Sequence, residues 1–258
     1  MRRFKENSIA FTTLTSREVS RFMRIWIQTL VPPVITVMLY FLIFGNLIGS
    51  RIGNMNGLTY MEYIVPGLIM MSVITNAYSN VVSSFFGTKF QKNIEEMLVS
   101  PMPNSIILWG FTMGGIVRGF VVGTLVTLTS LLFVRLHIFN LGITILVALL
   151  TAILFSLAGL INGIYAKKFD DISIVPTFIL TPLTYLGGVF YSTTLLNDFW
   201  RTLMYCNPVF YMVNAFRYGM LGYSDVSFPL CLLVLGTCCI TLYVIAEILF
   251  KQGIGIRS

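Results

Sequence analysis

Six runs of apolar residues, each about 20 positions long, divide the chain, with basic, polar or proline-containing stretches between them. They predict spanning helices over residues 25–48, 60–86, 106–134, 141–166, 172–191 and 228–250. The first begins too deep and runs too long for a cleaved signal peptide, whose apolar core is about 7 to 15 residues. The pattern predicts an all-α polytopic membrane protein, with residues 1–258 forming one transmembrane domain.

Three segments between the runs carry helical patterns of their own. In residues 1–24, Thr15-Ser16-Arg17-Glu18 has the spacing of a capping box, with Thr15 as cap and Glu18 three residues on. A basic helix lying in the membrane interface follows from it. In residues 88–103, Phe90, Ile94, Met97 and Leu98 recur at helical spacing opposite Lys89, Lys92, Glu95 and Glu96, and Pro101 and Pro103 stop the helix. In residues 192–227, Leu195, Leu196, Phe199, Trp200 and Leu203 form one stripe. Asn207-Pro208 breaks it, and a second stripe runs through Phe210, Val213, Phe216 and Met220. Two short helices dipping into the outer leaflet would satisfy their own backbone groups there.

Composition excludes the alternatives to a membrane fold. Hydrophobic residues make up 56% of the chain and charged ones 10%, against about 25% charged in a soluble domain. The formal charge of +7 reflects a bias between loops, and nothing resembling a basic nucleic-acid-binding helix is present. With the N-terminus placed in the cytoplasm, that side collects Arg2, Arg3, Lys5, Arg17, Arg21, Arg24, Lys89, Lys92, Lys167, Lys168, Lys251 and Arg257. The other side holds Arg51, Arg135, Arg201 and Arg217, so both termini are expected to face the cytoplasm. Cys231, Cys238 and Cys239 lie in an apolar run and Cys206 has no evident partner, which makes all four packing residues rather than a disulfide framework.

Enzyme chemistry is missing from the pattern. No Gly-Lys pair exists to build a Walker A loop, so ATP-driven work requires a partner. His137 is the only histidine, no zinc-ligand spacing occurs, and no Gly-x-Ser-x-Gly elbow is present.

The polar positions inside the runs are the candidates for function. Ser72, Asn76, Ser79 and Ser83 share a helical face widened by Thr75 and Asn80. They read equally as interhelical hydrogen bonding, at about 0.6 kcal/mol per contact, or as one wall of a translocation path. Residues 172–191 hold Pro176, Thr177, Thr181, Pro182, Thr184 and Gly187-Gly188; the prolines free carbonyls that must be satisfied by protein or water, which makes this a second wall. Arg118 falls mid-run, where an arginine costs about 2.5 to 3.5 kcal/mol, and either faces inward with a partner or snorkels. Gly115, Gly119 and Gly123, and Gly159 with Gly163, repeat every four residues and predict close helix packing.

With this layout the chain resembles the ABC-2 type transporter permeases, the membrane halves of bacterial ATP-binding-cassette exporters of the type V kind. The resemblance rests on Tyr-Ile-Val-Pro-Gly-Leu at 63–68, Ile-Glu-Glu-Met-Leu-Val-Ser-Pro at 94–101 and Asn-Pro-Val-Phe-Tyr-Met-Val-Asn-Ala-Phe-Arg-Tyr-Gly at 207–219, and covers nearly the whole chain. It implies six spans, a homodimer in the bacterial inner membrane, and two separate ATPase subunits that hold ATP and magnesium, with no cofactor in this chain. It implies that residues 1–24 are a connecting helix carrying Arg17 and Arg21. The 88–103 loop becomes a coupling helix with Glu95, Glu96, Met97, Ser100 and Pro101 at the ATPase, and Asp170-Asp171 a second contact. Residues 192–227 become a re-entrant pair, and Ser72, Thr75, Asn76, Ser79, Thr177, Thr181 and Thr184 line the path. The competing readings are a stand-alone channel or ion-coupled carrier, weakened because no acidic residue sits mid-span, and a membrane scaffold.

Overall fold

The structure is a computed structural model that describes residues 2–48, 54–55, 57–193 and 196–255. Arg51, Leu195 and Arg257 lie outside the described residues. Eleven α-helices appear among those described: α1 (Arg2–Arg24), α2 (Trp26–Tyr40), α3 (Tyr60–Phe90), α4 (Asn93–Val99), α5 (Asn104–Ser130), α6 (Leu141–Tyr165), α7 (Asp171–Val175), α8 (Thr181–Tyr185), α9 (Asp198–Tyr205), α10 (Pro208–Leu221) and α11 (Phe228–Gln252). A two-residue hairpin pairing Asn54 with Thr59 and Met55 with Leu58 precedes α3.

Among the described residues, five helical segments are long and apolar enough to cross a membrane: Trp26–Gly45, which runs from α2 into a π-helical stretch over Phe41–Ile48, and α3, α5, α6 and α11. The expected fifth span, 172–191, is a shorter helical run instead, continuous from Asp171 to Tyr185. It consists of α7, a π-helical turn over Pro176–Leu180, and α8, each five residues long. At 1.5 Å per residue this amounts to about 22 Å, short of a hydrocarbon core of about 30 Å. The backbone stays helical through Val175, Pro176, Leu180 and Thr181, widened to a π-helical turn from Pro176, and the helix ends at Leu186 before Gly188 turns the chain at φ 72°.

α3 is the central helix. Thr59 caps it and Glu62 completes the box, its Oε2 accepting from the Thr59 backbone N–H at 2.8 Å. The two glycine series explain how α5 and α6 approach it. A Cβ on Gly115 would sit 2.8 Å from the Ala77 carbonyl oxygen, one on Gly123 2.8 Å from a Val73 methyl, and one on Gly159 2.6 Å from the Tyr78 carbonyl oxygen. Close packing is therefore the role of both repeats, as the spacing predicts. α11 lies at the periphery, against α6 and α10.

The helix ends define two poles. At one, Lys89 Nζ donates to the carbonyls of Ile164 at 2.5 Å and Ala166 at 2.8 Å, and Asn104 reaches the Phe250 carbonyl at 3.5 Å, gathering the ends of α3, α6 and α11 with the start of α5. At the other, the Phe139 and Asn140 amides donate to the Met220 and Gly219 carbonyls, which ties α10 to the entry of α6.

α1 corrects the capping-box expectation. It runs unbroken from Arg2, so Thr15 is not an N-cap, and Glu18 is fully buried rather than closing a box. Nothing upstream of Thr15 forces the backbone out of helix, and an N-cap requires that departure.

Candidate functional site

A polar column on α3 organises the pole where α1 packs. Asn76, Asn80, Ser84 and Thr88 stand four residues apart, and each meets a charged side chain from another helix. Arg118 of α5 donates Nη2 to Asn76 Oδ1 at 3.0 Å. Arg21 donates Nη2 to Asn80 Oδ1 at 2.9 Å and to its carbonyl at 3.0 Å. Ser84 donates a short hydrogen bond to the Glu18 carboxylate, and Arg17 reaches Thr88 Oγ1 at 3.4 Å. Glu18 also pairs with Arg17 at 3.4 Å and Arg21 at 3.3 Å. A Cβ on Gly114 would lie 2.6 Å from the Glu18 Cβ, so this glycine is what lets α1 approach α5 closely enough to bury the carboxylate.

Arg118 thus faces inward, as one of its two sequence readings requires, and its partner is an amide rather than an acid. The predicted stripe divides in two. Ser72 and Asn76 are buried, while Thr75, Ser79 and Ser83 form a partly exposed ridge beside them. α2 leans on α5 and leaves a gap to α3, and that cavity of about 260 Å³ is lined by Ser72, Thr75, Asn76, Thr36, Tyr40 and Pro33 among others. The structure brings Ser72, Thr75 and Asn76 together there, with Ser79 one turn further along. It does not bring Thr177, Thr181 and Thr184 into the same cavity. Thr177 and Thr181 are exposed, and Thr184 is buried with its hydroxyl on the Thr181 carbonyl at 2.8 Å. α8 approaches the same face through Tyr185, whose hydroxyl lies 2.9 Å from that of Tyr40.

The knob between α3 and α5 forms as a short helix, α4, ending before Pro101. Lys92 adopts the left-handed conformation, φ 61°, to turn the chain out of α3. Ile94 is the buried plug, whereas Glu95, Glu96 and Pro101 are exposed, Met97 and Ser100 are half-buried, and Val99 is 88% exposed. Phe90 corrects the predicted apolar face of this knob. It belongs to α3, remains 60% exposed, and packs on Phe169 with ring centroids 4.9 Å apart. Phe169 belongs to the 167–171 turn, so that turn and the knob stand at the same pole.

Asp171 shapes the turn. Its Oδ2 accepts the backbone N–H groups of Lys167 at 2.8 Å and Lys168 at 2.9 Å; these two bonds hold its carboxyl below the usual aspartate range, with the lysine charges adding to them. Because the folded-state value is depressed, the contribution is fully present above the unfolded aspartate value of about 3.9 and is lost as pH falls through the lowered value. Hydrogen exchange at the Lys167 and Lys168 amides is expected to stay slow at neutral and mildly acidic pH. Asp171→Ala should accelerate it severalfold, while exchange along α6 is unchanged. Asp170 beside it is exposed.

The residues between α8 and α11 contain a site that loop counting missed. Arg217, expected on the outer aqueous side, is fully buried. Its guanidinium lies 4.0 Å from the Tyr63 ring centroid, donates Nη2 to the Gly188 carbonyl at 2.7 Å, and has Nη1 3.9 Å from Asp225 Oδ2. Asp225 also accepts from the hydroxyls of Tyr63 at 3.3 Å, Ser192 at 2.9 Å and Tyr223 at 2.7 Å. Two short helices form, α9 then α10 with Asn207 capping the second through its side chain, but α9 begins only at Asp198, so Leu196 of the predicted stripe lies before it. Phe199 and Trp200 are exposed, whereas Phe210, Val213, Phe216 and Met220 are buried.

Comparison with known proteins gives this layout a family. The chain is 59% identical over 250 residues, 97% of its own length and 98% of the relative's, to the inner membrane transport permease YadH of Escherichia coli strain K12. It matches its counterpart in Shigella flexneri equally. Nodulation protein J of Rhizobium leguminosarum bv. viciae is 23% identical over 185 residues, 71% of each chain. Residues 9–221 match the ABC-2 type transporter family. This chain belongs to the ABC-2 type transporter family and is a multi-pass transport permease of the inner membrane.

Proposed function

We propose that this permease is the membrane subunit of an ATP-driven exporter, worked by separate ATP-binding-cassette subunits docked at the pole that carries α4. The observation that carries this reading is the construction of α4. Ile94 anchors it in a core shared with Leu14, Phe85 and Ile107, while Glu95, Glu96 and Val99 project outward. A short helix plugged into the core by Ile94, with Met97 and Leu98 packed beside it, transmits a push, and a free loop does not. Glu95, Glu96, Met97, Ser100 and Pro101 form the docking face, with Asp170 and Asp171 and the α1 helix of Arg17 and Arg21 at the same pole. Both termini then lie in the cytoplasm, in keeping with the basic residues gathered there.

Switching between access states from about 1:99 to 99:1 needs roughly 5.5 kcal/mol of differential binding. ATP and magnesium in the partner supply it, since this sequence has no Walker A loop. Two copies meet with the open face of α3 toward the shared axis. Ser72, Thr75, Asn76 and Ser79 line one side of the path, and the short helical run with Thr177, Thr181 and Thr184 lines the other. That short helix, fifth in chain order, brings the crossings to six, completed by α9 and α10 re-entering the outer leaflet.

The test is purification of the tagged chain from its host in mild detergent. A cytosolic Walker-motif ATPase is expected to copurify in stoichiometric amount and to be reduced at least tenfold by Glu95→Lys/Glu96→Lys. Val99→Glu, which removes no buried contact, should weaken it as well. A native chain that brings down no ATPase in several detergents, or that transports at full rate alone after reconstitution, overturns the reading.

A further inference from the structure

A second cavity, of about 530 Å³, opens between α1 and the end of α3, lined by Arg17, Arg21, Arg24, Ser83, Thr88 and Gln91 among others. Its charge is lopsided. Three guanidinium groups border it against a single carboxylate, Glu18, which is already engaged by Ser84, Arg17 and Arg21. Arg24 is exposed, and no acidic side chain other than Glu18 lines the cavity among the described residues. Hydroxyl and amide donors complete the wall. Immediately beside the arginines, where α1 gives way to α2, Met23, Ile25, Trp26 and Ile27 form an exposed apolar run.

We infer that this cavity holds the phosphate headgroup of an anionic membrane lipid, with the acyl chains along Met23, Ile25, Trp26 and Ile27. Guanidinium groups bind phosphate oxygens through charge-assisted bonds, and the planar fork of arginine suits them. A free phosphate would use the arginines and leave the apolar run uncovered; a lipid uses both. The bound lipid closes the α1–α3 seam from outside, where Glu18 closes it from within. Arg17 and Arg21 belong also to the pole proposed for the ATPase, but lipid retention is read without any ATPase, so failure of one reading is distinguishable from failure of the other.

The experiment is native mass spectrometry of the full-length protein released from phosphatidylcholine nanodiscs doped with phosphatidylglycerol. The native protein is expected to retain phosphatidylglycerol in preference to phosphatidylcholine. Arg17→Gln/Arg24→Gln should retain about thirtyfold less, given about 1 kcal/mol for each basic residue near an anionic surface, and Arg17→Lys/Arg24→Lys should keep most of it. Arg135→Gln, at the other pole, should change nothing. Melting temperature checks the fold of each variant, and if the double variant unfolds, Arg24→Gln alone carries the test with a severalfold loss. Equal retention of the two lipids, undiminished retention in the glutamine variants, or equal loss in Arg135→Gln overturns the inference. So does displacement by inorganic phosphate as effective as by short-chain phosphatidylglycerol, which would mark a free-anion site.

Discussion

Arg217→Ala is expected to remove about 3–5 kcal/mol of stability, the usual cost of breaking a buried ion pair from one side. Native domains are stable by about 5–15 kcal/mol in total, so the variant should accumulate poorly and melt far below the parent in detergent. The magnitude follows from what the substitution leaves behind. The Asp225 carboxylate stays buried with its charge and the hydroxyls of Tyr63, Ser192 and Tyr223, the Gly188 carbonyl loses its 2.7 Å donor, and the Tyr63 ring loses the cation over its face. Gly188 follows the end of α8, Tyr63 lies on α3 and Arg217 on α10, so one side chain ties three elements. Asp225→Asn should cost less, because Oδ1 still accepts from the Ser192 and Tyr223 hydroxyls and the Tyr63 hydroxyl keeps the Tyr191 carbonyl at 3.3 Å. Arg217→Lys should fall between, retaining charge but not the fork that reaches both partners. A thermal shift series by tryptophan fluorescence checks the order, and an Arg217→Ala protein that melts like the parent would remove Arg217 as the anchor.

That anchor shows where sequence reading ends. Counting Arg217 among outer loop charges assumed that the stretch around it was aqueous. Yet α10 is buried on all but the stripe of Pro208, Tyr211, Tyr218 and Leu221, from Val209 and Phe210 through Met212, Val213 and Asn214 to Gly219 and Met220. A 14-residue helix with so few charges was the available signal that Arg217 needed an internal partner. Asp225, eight residues on, was the acid within reach.

The two copies of Thr-x-x-Glu make the same point about local context. Thr15 to Glu18 and Thr59 to Glu62 carry identical signatures, and only the second caps a helix. Gly57 precedes Thr59 at φ 84° and turns the chain, whereas the residues before Thr15 all accept helical geometry. A cap needs its break as well as its oxygen. The four-residue period on α3 was legible, including Ser72 and Asn76, and the glycine repeats were read correctly as packing. The column from Asn76 to Thr88 was not legible as one unit, because its charged partners come from α1, about 60 to 70 residues away, and from α5.

Glu18→Ala is expected to cost about 2–3 kcal/mol, within the range for hydrogen bonds made to a charged group. The effect is smaller than at Arg217 because the partners can recover solvent, Arg17 being 45% exposed and Arg21 35%; exposed partners gain little from pairing. What cannot recover is Ser84, buried on α3 and left without its acceptor. The consequence should be local. Amide exchange over residues 14–22 of α1 is expected to rise, while α6 and α10, which share no partner with Glu18, keep their protection. Glu18→Gln should restore most of that protection, since an amide oxygen still accepts from Ser84 and the side chain still fills the space beside Gly114. Arg21→Ala alone should loosen α1 less than Glu18→Ala does, because Glu18 retains Ser84 and Arg17. If residues 14–22 exchange at the parent rate in Glu18→Ala, the carboxylate is not what holds α1 to α3, and the glycine-mediated contact with α5 must suffice.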